Sequence, residues 1–562
     1  MFLFSIFSVK SNHAILKMEL KQNKSSVYKY LFAFILVFYC LVLTQFGFEN
    51  FDSGYIPSFS WRILNGQDVY QDFIYKGPPV TLYFHAFFMY WLPVKGQFFY
   101  IRILSYLFFA LQVFFTVSGF YNLYDFNTIK VDKWGLICVG FVVSLLNFSP
   151  YPWPTTDGLL FASVAFWLVS RLKSLSFFHL LLIAFFCILS ALTKQSFYLI
   201  PLLFFFWIFV KHNPKKALIF VLQLILFLVF YLYFILSTTT LENFISQTTG
   251  ETHLHDLFYS GIHNYIFISL EGFSLAVVLL ALAGFAFMKF KKRSIQDLQP
   301  ILKLISLFIF VTALLLCGFK KIELASRIAF DAAVIAVICT FIFHKKKLEE
   351  ISPMLVALGI AWSCSISLGY QFPILFATGI ILCFLVSIDL KLNSKYYFWI
   401  ALPICCIAFS YNARPYRDDH IFLLKYDLET VSPKLKYIKT NRANFEKFTE
   451  LKNLVAKYGE NFIVAPNIPM ANYLFNNQSE LPADWIIETE VGRRQKLFIR
   501  LASDKKNYIF LEKSFLQHEE FMPEKPEDFS SISAFIYKKF NCIEQTKYFL
   551  IYNSLKKNEA VP

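Results

Sequence analysis

The sequence lacks the cysteine patterns that support disulfides or metal sites in water. Of its ten cysteines only Cys542 lies in a polar stretch, and the others lie in or beside apolar runs. Neither a CxxC pair nor a Cys/His zinc spacing occurs, so cysteine chemistry is excluded as the basis of function. Soluble-enzyme motifs are also missing: the sequence has no GxxxxGK[ST], no GxGxxG opening a helix, no HExxH and no GxSxG.

Charge is scarce as well. Charged residues make up 16% of the 562 positions, whereas 57% are hydrophobic and 20% are aromatic. Soluble domains are only about 45–50% apolar, so this composition indicates an integral membrane protein. The net charge of +15 does not indicate nucleic-acid binding, because the basic residues form short clusters between apolar runs. This is the pattern of cytoplasmic loops in polytopic proteins. The clusters are Arg171 and Lys173; Lys211, Lys215 and Lys216; Lys289 to Arg293; Lys345 to Lys347; and Lys391 and Lys395.

About fourteen apolar runs follow one another, and a membrane-spanning helix needs roughly 17–25 such residues. The runs are 30–48, 80–93, 98–120, 134–149, 158–170, 176–193, 197–210, 217–236, 273–288, 301–318, 328–343, 353–368, 372–388 and 396–410. If every run crossed from a cytoplasmic N-terminus, the five basic clusters would face outward. The short run 80–93, bounded by prolines, suits an interfacial helix better. Omitting it predicts about thirteen spans, with all five clusters in the cytoplasm.

The fold class predicted is mainly α, with two domains. Residues 1–410 form a transmembrane catalytic domain whose first outer loop, 49–97, contains the interfacial helix 80–93. Residues 411–562 form a small α/β domain on the outer (periplasmic) face, because strand-like and helix-like stretches alternate there. The strand-like runs are Phe462 to Ala465, Tyr508 to Leu511 and Tyr548 to Tyr552, and the helix-like stretches are Arg442 to Lys457 and Ser533 to Phe540. No cleavable signal is evident, and whether Met1 or Met18 starts the chain stays open.

The stretch from Asn50 to Pro79 concentrates charged groups in an otherwise apolar chain, which makes it a functional candidate. The predicted topology places Asp52 and Asp72 of this loop on the same membrane face as Asp157 and Lys194. A carboxylate at that boundary can act as a general base toward an acceptor hydroxyl or amine. A lysine there can stabilise the phosphate of a departing lipid carrier.

The pattern D-S-G-Y-(x)6-R-I-L-N-G-(x)3-Y-(x)-D-F-(x)3-G-P-P, which begins at Asp52, resembles the first outer loop of GT-C membrane glycosyltransferases. The similarity is greatest to bacterial family 39 members akin to protein O-mannosyltransferases and the aminoarabinose transferase of lipid A. The segments TTDGLLFASVAFWLVSRL, LTKQSFYLIPLL and IVAPNIPMANYLFNN resemble the second-loop aspartate, the lysine-bearing turn and an outer-domain segment of that family.

The resemblance implies a GT-C fold and a catalytic role for Asp52 as general base. By position, Asp157 matches the second-loop acid, which binds a metal or orients the acceptor. Lys76 and Lys194 match lysines that contact the donor phosphate. Many members have an acidic residue directly after the base, where this chain has Ser53, so a divalent metal held by Asp52 and Asp157 stays open. The substrate-binding set is completed by Arg62, which is also expected to help fold the loop, and Asp72, which is expected to be structural rather than catalytic.

The implied function is transfer of a sugar from a polyprenyl-phosphate donor to a cell-envelope acceptor at the periplasmic face of the bacterial cytoplasmic membrane. The reaction would be inverting, and the acceptor is a lipid, a polysaccharide such as lipopolysaccharide, or a protein. His253 and His255 are interpreted as a solvated or substrate-touching pair, Asp68 as a turn residue, and Asp418 with Asp419 as a solvated linker.

Two alternatives stay open, one within the enzyme class and one from a different class. An O-antigen polymerase or ligase also has about a dozen spans, but the long C-terminal tail argues against it. A lipid or sugar transporter (flippase) commonly shows repeated halves and charges at mid-membrane, whereas here no repeat is visible and the ionisable residues gather at span ends.

Overall fold

The computed structural model describes residues 27–126, 131–148, 150–248, 299–318, 321–343, 347–365, 376–388, 403, 406–459, 461–479, 481–491, 495–503, 507–514 and 532–555. This part of the chain is mainly helical, with a small sheet near the C-terminus. His253 and His255 lie outside the described residues.

Most helices of the N-terminal part follow the apolar runs. They are α1 (Val27–Gln45), α2 (Asp52–Leu64), α3 (Val80–Trp91), α4 (Gln97–Leu123), α5 (Lys133–Ser144), α6 (Pro154–Arg171), α7 (Phe177–Ala191), α8 (Ile200–Lys211), α9 (Pro214–Leu236), α10 (Leu241–Thr248), α11 (Gln299–Gly318), α12 (Ile322–Phe343), α13 (Leu348–Ser365) and α14 (Ala377–Ile388). The run 273–288 lies outside the described residues, and 372–388 and 396–410 are described only in part.

Four helices in the described part of the chain are long and apolar enough to cross a membrane: α1, α4, α9 and the segment Leu324–Phe341 of α12. Four shorter apolar helices accompany them, at Lys133–Ser144, Phe177–Ala191, Gln195–Lys211 and Ala377–Ile388. Apolar helices of this kind support a membrane protein, and the number of thirteen spans stays a prediction.

Close packing of α4 against α6 fixes the helix that carries Asp157. A Cβ added at Gly119 of α4 would lie 2.5 Å from a ring carbon of Phe166 in α6, so only glycine permits this approach. The Thr116 hydroxyl donates to the Ser163 hydroxyl at 3.0 Å across the same interface. Pro154 begins α6, where its missing N–H costs no helical hydrogen bond, and Asp157 lies in the first turn.

The first outer loop contains a helix that the sequence does not suggest. Residues 52–64, predicted as part of a charged loop, form α2 with Asp52 as its first residue. Gly54 and Pro57 disfavour a helix by propensity, but a carboxylate in the first turn stabilises one, and most of α2 is buried. Tertiary packing therefore outweighs local propensity here.

The predicted helix over 80–93 is confirmed as α3. One face is buried through Leu82, Ala86 and Met89, whereas Tyr90 and Trp91 on the other side are 70% and 72% exposed. A short helix with one exposed aromatic face suits the plane of a membrane surface. Its orientation relative to the membrane stays a prediction.

The C-terminal part has the predicted α/β character. Its sheet has the order β3-β4-β6-β5, with β3 (Phe462–Ala465) parallel to β4 (Tyr508–Glu512) and with β6 (Phe549–Leu555) antiparallel to both β4 and β5 (Phe540–Gln545). A separate pair joins β1 (Tyr426–Asp427) to β2 (Lys439–Thr440). The helices are α15 (Arg442–Tyr458), α16 (Ala471–Phe475), α17 (Glu488–Val491), α18 (Gln495–Ala502) and α19 (Ile532–Lys539). Within the four-stranded sheet, only β5 was not predicted from the sequence, and the pair β1 and β2 was not predicted either.

The first outer loop and the C-terminal part share one apolar core. Phe48, Met89 and Phe98 pack in a single cluster with residues of α15, α16 and the sheet. A Cβ at Gly54 would lie 2.5 Å from Met470, so α2 approaches the start of α16 as closely as a glycine allows. The loop therefore packs against the C-terminal part and shares its apolar core.

Candidate active site

Asp52 lies at the N-terminus of α2 with its side chain 30% exposed. The Tyr416 hydroxyl donates to its Oδ2 at 3.0 Å, and Arg417 Nη1 lies 3.5 Å from the same oxygen. The Asp52 side chain is thus held at a helix N-terminus between a phenol and a guanidinium, while part of it stays open to solvent.

Glu49 is a second carboxyl at this helix terminus, and the sequence analysis did not single it out. Its side chain is 5% exposed and accepts backbone N–H groups of Phe51 at 2.7 Å and Ser53 at 3.0 Å. Burial raises the pKa of the Glu49 carboxyl, and the N–H of Ser53 acts against this. The only signal for Glu49 in the sequence was its position three residues before Asp52. Glu49 is a capping group rather than an open base.

Arg417 contacts the carboxyl groups of both Asp52 and Glu49. Its Nη1 lies 3.3 Å from Glu49 Oε1, and its guanidinium carbon lies 5.2 Å from the Phe51 ring and 4.9 Å from the Tyr416 ring. Its φ of 53° is in the left-handed region, which is costly for a residue with a side chain. The cation next to Asp52 therefore comes from the segment that opens the C-terminal part.

Asp157 is enclosed rather than open. It and His85 of α3 are each 2% exposed, and His85 Nε2 lies 3.0 Å from Oδ2 and 3.2 Å from Oδ1 of Asp157. Aromatic rings surround the pair, with Phe84 and Phe108 against the imidazole. The contact fastens α3 to the first turn of α6, and it favours a positioning role for Asp157 over direct proton transfer.

Lys76 contacts the C-terminal part. Its ammonium lies 2.7 Å from Glu490 Oε1, and the Tyr55 hydroxyl donates to the other oxygen of Glu490 at 2.9 Å. Tyr55 follows Asp52 by one helical turn, so Glu490 connects the lysine to the helix that begins with the candidate base.

Lys194 lies in the turn between α7 and the 3-10 helix Gln195–Leu199. Its ammonium is 3.4 Å from the Thr155 hydroxyl at the start of α6, and no described carboxylate lies within 4 Å. Burial lowers the pKa of Lys194 to about 8. A half-buried lysine without an anionic partner gains from an incoming anion such as a phosphate.

The loops that carry these groups meet at one end of the bundle. The Gln195 amide donates to the Lys76 carbonyl at 2.6 Å, and the Val80 N–H donates to the Leu192 carbonyl at 3.2 Å. On the other side, the Tyr151 ring, near the start of α6, lies 6.3 Å from the Tyr416 ring. The structure thus brings together elements that are hundreds of residues apart in sequence.

Arg62 is 1% exposed and bonds mainly to the C-terminal part. Its Nε and Nη2 donate to Asp484 at 2.9 and 2.7 Å, Nη2 also donates to the Leu481 carbonyl, and Nη1 donates to Gln67. These partners favour a structural role. Asp72 is exposed and accepts the Asp68 N–H at 2.7 Å, which closes a turn.

The interpretation of Asp418 as a solvated linker residue is wrong. Asp418 is 6% exposed and accepts four hydrogen bonds, from the Phe48 and Asp419 N–H groups and from the Thr440 and Asn441 side chains. It fastens the end of the first span to β2. Four donors compensate the burial of its charge.

The donor set does not fit a metal held by Asp52 and Asp157. Asp157 is paired with His85, and Asp52 is within reach of Arg417. Across the described ranges, no group of three or more His, Cys, Asp or Glu residues is placed to hold a metal ion. No step below is routed through a metal.

Comparison with known proteins adds a distant likeness among solved structures. Neither a protein-family model nor a curated protein matches the chain. Among solved structures, it is similar to the Archaeoglobus fulgidus oligosaccharyltransferase tethered through a disulfide bond to an acceptor peptide containing the NVT sequon. The identity is 11%, the likeness covers 96% of this chain and 75% of that chain, and the TM-score is 0.40. A likeness at this TM-score is too weak to carry an argument, so function is argued from the residues.

Proposed function

We propose that this protein is a membrane glycosyltransferase of the GT-C type. It moves a sugar from a polyprenyl-phosphate donor to a hydroxyl of a cell-envelope acceptor, at the periplasmic face of the bacterial cytoplasmic membrane. The observation that carries the proposal is the half-exposed Asp52 carboxylate at the start of α2, between Tyr416 and Arg417. Its helix directly follows the predicted first span, so the carboxylate lies where a membrane carrier meets water.

Asp52 acts as the general base. The acceptor hydroxyl attacks the anomeric carbon and its proton passes to Asp52, while the bond from that carbon to the phosphate oxygen breaks. Attack from the face opposite the phosphate inverts the anomeric centre. Arg417 and Tyr416 hold the carboxylate in place, and its exposed part leaves room for the acceptor.

The lysines serve the leaving group. The polyprenyl phosphate departs with both electrons of the broken bond, so negative charge grows on its oxygens. Lys194 supplies a half-buried positive charge without a described carboxylate partner, and Lys76 lies on the neighbouring loop. A cation in a water-poor site stabilises such charge more strongly than one in bulk water.

Replacement of Asp52 by asparagine tests the proposal. Because the amide is nearly isosteric but cannot accept the proton, transfer from a polyprenyl-phosphate sugar should fall roughly 10²–10⁴-fold, the usual contribution of a general base. Donor binding, measured as quenching of a fluorescent polyprenyl phosphate, should persist.

Asp68→Asn is the matched control, because Asp68 is a half-buried carboxylate in a turn of the same loop. It should keep full activity. A folded Asp52→Asn protein that transfers sugar at the normal rate would exclude Asp52 as the base. Equal losses of donor binding and turnover would make it a structural residue.

A further inference from the structure

An open pocket lies directly beside Asp52, on the side of Tyr416 and Arg417. Its volume is about 530 Å³, within the range of sites that hold small molecules. The described residues that line it are Arg414, Pro415, Tyr416, Arg417, Asp418, Asp419 and Asn441. Neither Lys76 nor Lys194 is among them, so the pocket is separate from the groups proposed for the donor phosphate.

Two lining residues of the pocket contact the candidate base. The Tyr416 hydroxyl lies 3.0 Å and Arg417 Nη1 lies 3.5 Å from Oδ2 of Asp52. Asp418, another lining residue, accepts the Phe48 N–H at 2.8 Å, just before the loop that carries Glu49 and Asp52. A molecule in the pocket would therefore be held at a defined position beside the base.

The lining excludes a polyprenyl chain. Apart from Pro415 and the Tyr416 ring, every described lining residue is charged or an amide, and an aliphatic chain would leave these groups desolvated without partners. The lining does not select a simple anion either, because two arginines are balanced by two aspartates. The lining therefore favours a neutral ligand that carries many hydroxyl groups.

The strand next to the pocket offers no free edge to an extended peptide. The strand next to the pocket, β2, is paired with β1 on one side, and on the other Lys439 bridges to Phe46 and accepts the Gly47 N–H at 2.9 Å. Both edges of β2 are therefore occupied, which prevents an extended peptide from adding to it as a strand.

We infer that this pocket is the acceptor subsite and that the acceptor is a carbohydrate. Planar guanidinium, carboxylate and amide groups pair with neighbouring sugar hydroxyls, and a phenol ring packs against the C–H face of a pyranose. Arg414 is exposed and Asp419 is half-buried, whereas Asp418 and Asn441 are bonded within the protein. Arg414 and Asp419 are therefore the specificity-determining residues. The inference rests on the proposed function only in calling the bound molecule the acceptor. The binding of a saccharide in this pocket does not depend on it.

Saturation-transfer NMR on the full chain in nanodiscs tests the site without requiring turnover. The probes are methyl α-mannoside, methyl β-galactoside, methyl α-glucoside and a serine-containing hexapeptide. At least one methyl glycoside should receive saturation in the native protein and in Asp52→Asn. In the double variant Arg414→Ala/Asp419→Ala, the apparent Kd should rise at least about tenfold.

Arg442→Gln is the matched control, because Arg442 follows Asn441 but is paired with Glu446 at 2.6 Å. It should bind the glycoside normally. Binding that survives the double variant, or absence of binding by every glycoside, would overturn the inference, and saturation of the hexapeptide alone would make the acceptor a protein. Glycoside binding with no transfer from any lipid-linked sugar would overturn the proposed function and leave the saccharide site intact.

Discussion

At the scale of single residues, Lys194 gives the sharpest expectation. Its pKa is lowered to about 8 by burial, so the free protein loses this positive charge as pH rises through that value. Because the donor phosphate needs the charged form, kcat/KM for the donor should fall above about pH 8. The measurement is a pH profile of donor kcat/KM.

Two variants separate Lys194 from other titrating groups. Lys194→Arg stays charged at these pH values, so its profile should remain flat to higher pH. Lys95→Arg, at a lysine that is 62% exposed and paired with Glu429, should reproduce the native profile. A decline near pH 8 that persists in Lys194→Arg would assign the titration to another residue.

Candidate residues were selected from the sequence by their position along the chain, and their roles stay predictions. Asp52 and Lys194 stand at the ends of apolar runs, and such positions can be found from hydropathy alone. Partners cannot be found this way, because pairing depends on the fold: His85 is 72 positions from Asp157, and Tyr416 is 364 from Asp52. The interpretation of Asp418 failed for the same reason, since its four donors come together only in the folded chain.

At the scale of elements, the buried pair Arg62–Asp484 should be decisive for the packing of α2. Asp484→Asn removes a charge from a pair whose side chains are each 1% exposed, and it leaves the guanidinium uncompensated. The expected loss is about 3–5 kcal/mol of unfolding free energy. Denaturation in mild detergent, followed by tryptophan fluorescence, measures it.

A surface pair provides the comparison. Arg442→Gln breaks an exposed contact with Glu446 and should leave the unfolding midpoint unchanged. The double variant Arg62→Met/Asp484→Leu should recover part of the loss, because no unpaired charge then remains buried. A midpoint for Asp484→Asn equal to that of the native protein would mean that the pair does not fasten α2.

Elements differ in how well the sequence predicts them. Apolar helices and the strands β3, β4 and β6 carry their own periodic or apolar signal, so they were anticipated. Helix α2 was not, because Gly54 and Pro57 oppose it locally and its stabilising neighbour is Met470. A helix that depends on contacts far along the chain leaves little trace in its own residues.

At the scale of the whole molecule, Cys542 reports the sidedness of the C-terminal part. It is exposed on β5, in the region predicted to lie in the periplasm. An impermeant thiol reagent should label it in spheroplasts without permeabilisation, and Cys542→Ser should abolish that labelling. Labelling that appears only after permeabilisation would place the domain in the cytoplasm and reverse the predicted topology.

The contact between α2 and the C-terminal part also has a consequence for biosynthesis. Arg62 and Asp484 are 422 positions apart in the chain. At a synthesis rate of about 5–20 residues per second, the ribosome needs roughly 20–80 s to supply the partner of this arginine. With the predicted topology, the first outer loop leaves the translocation machinery early in that interval, and its core then stays incomplete until Asp484 is made. A nascent chain stalled before residue 484 should therefore be cut by protease within residues 52–64, and release of the full chain should protect that segment.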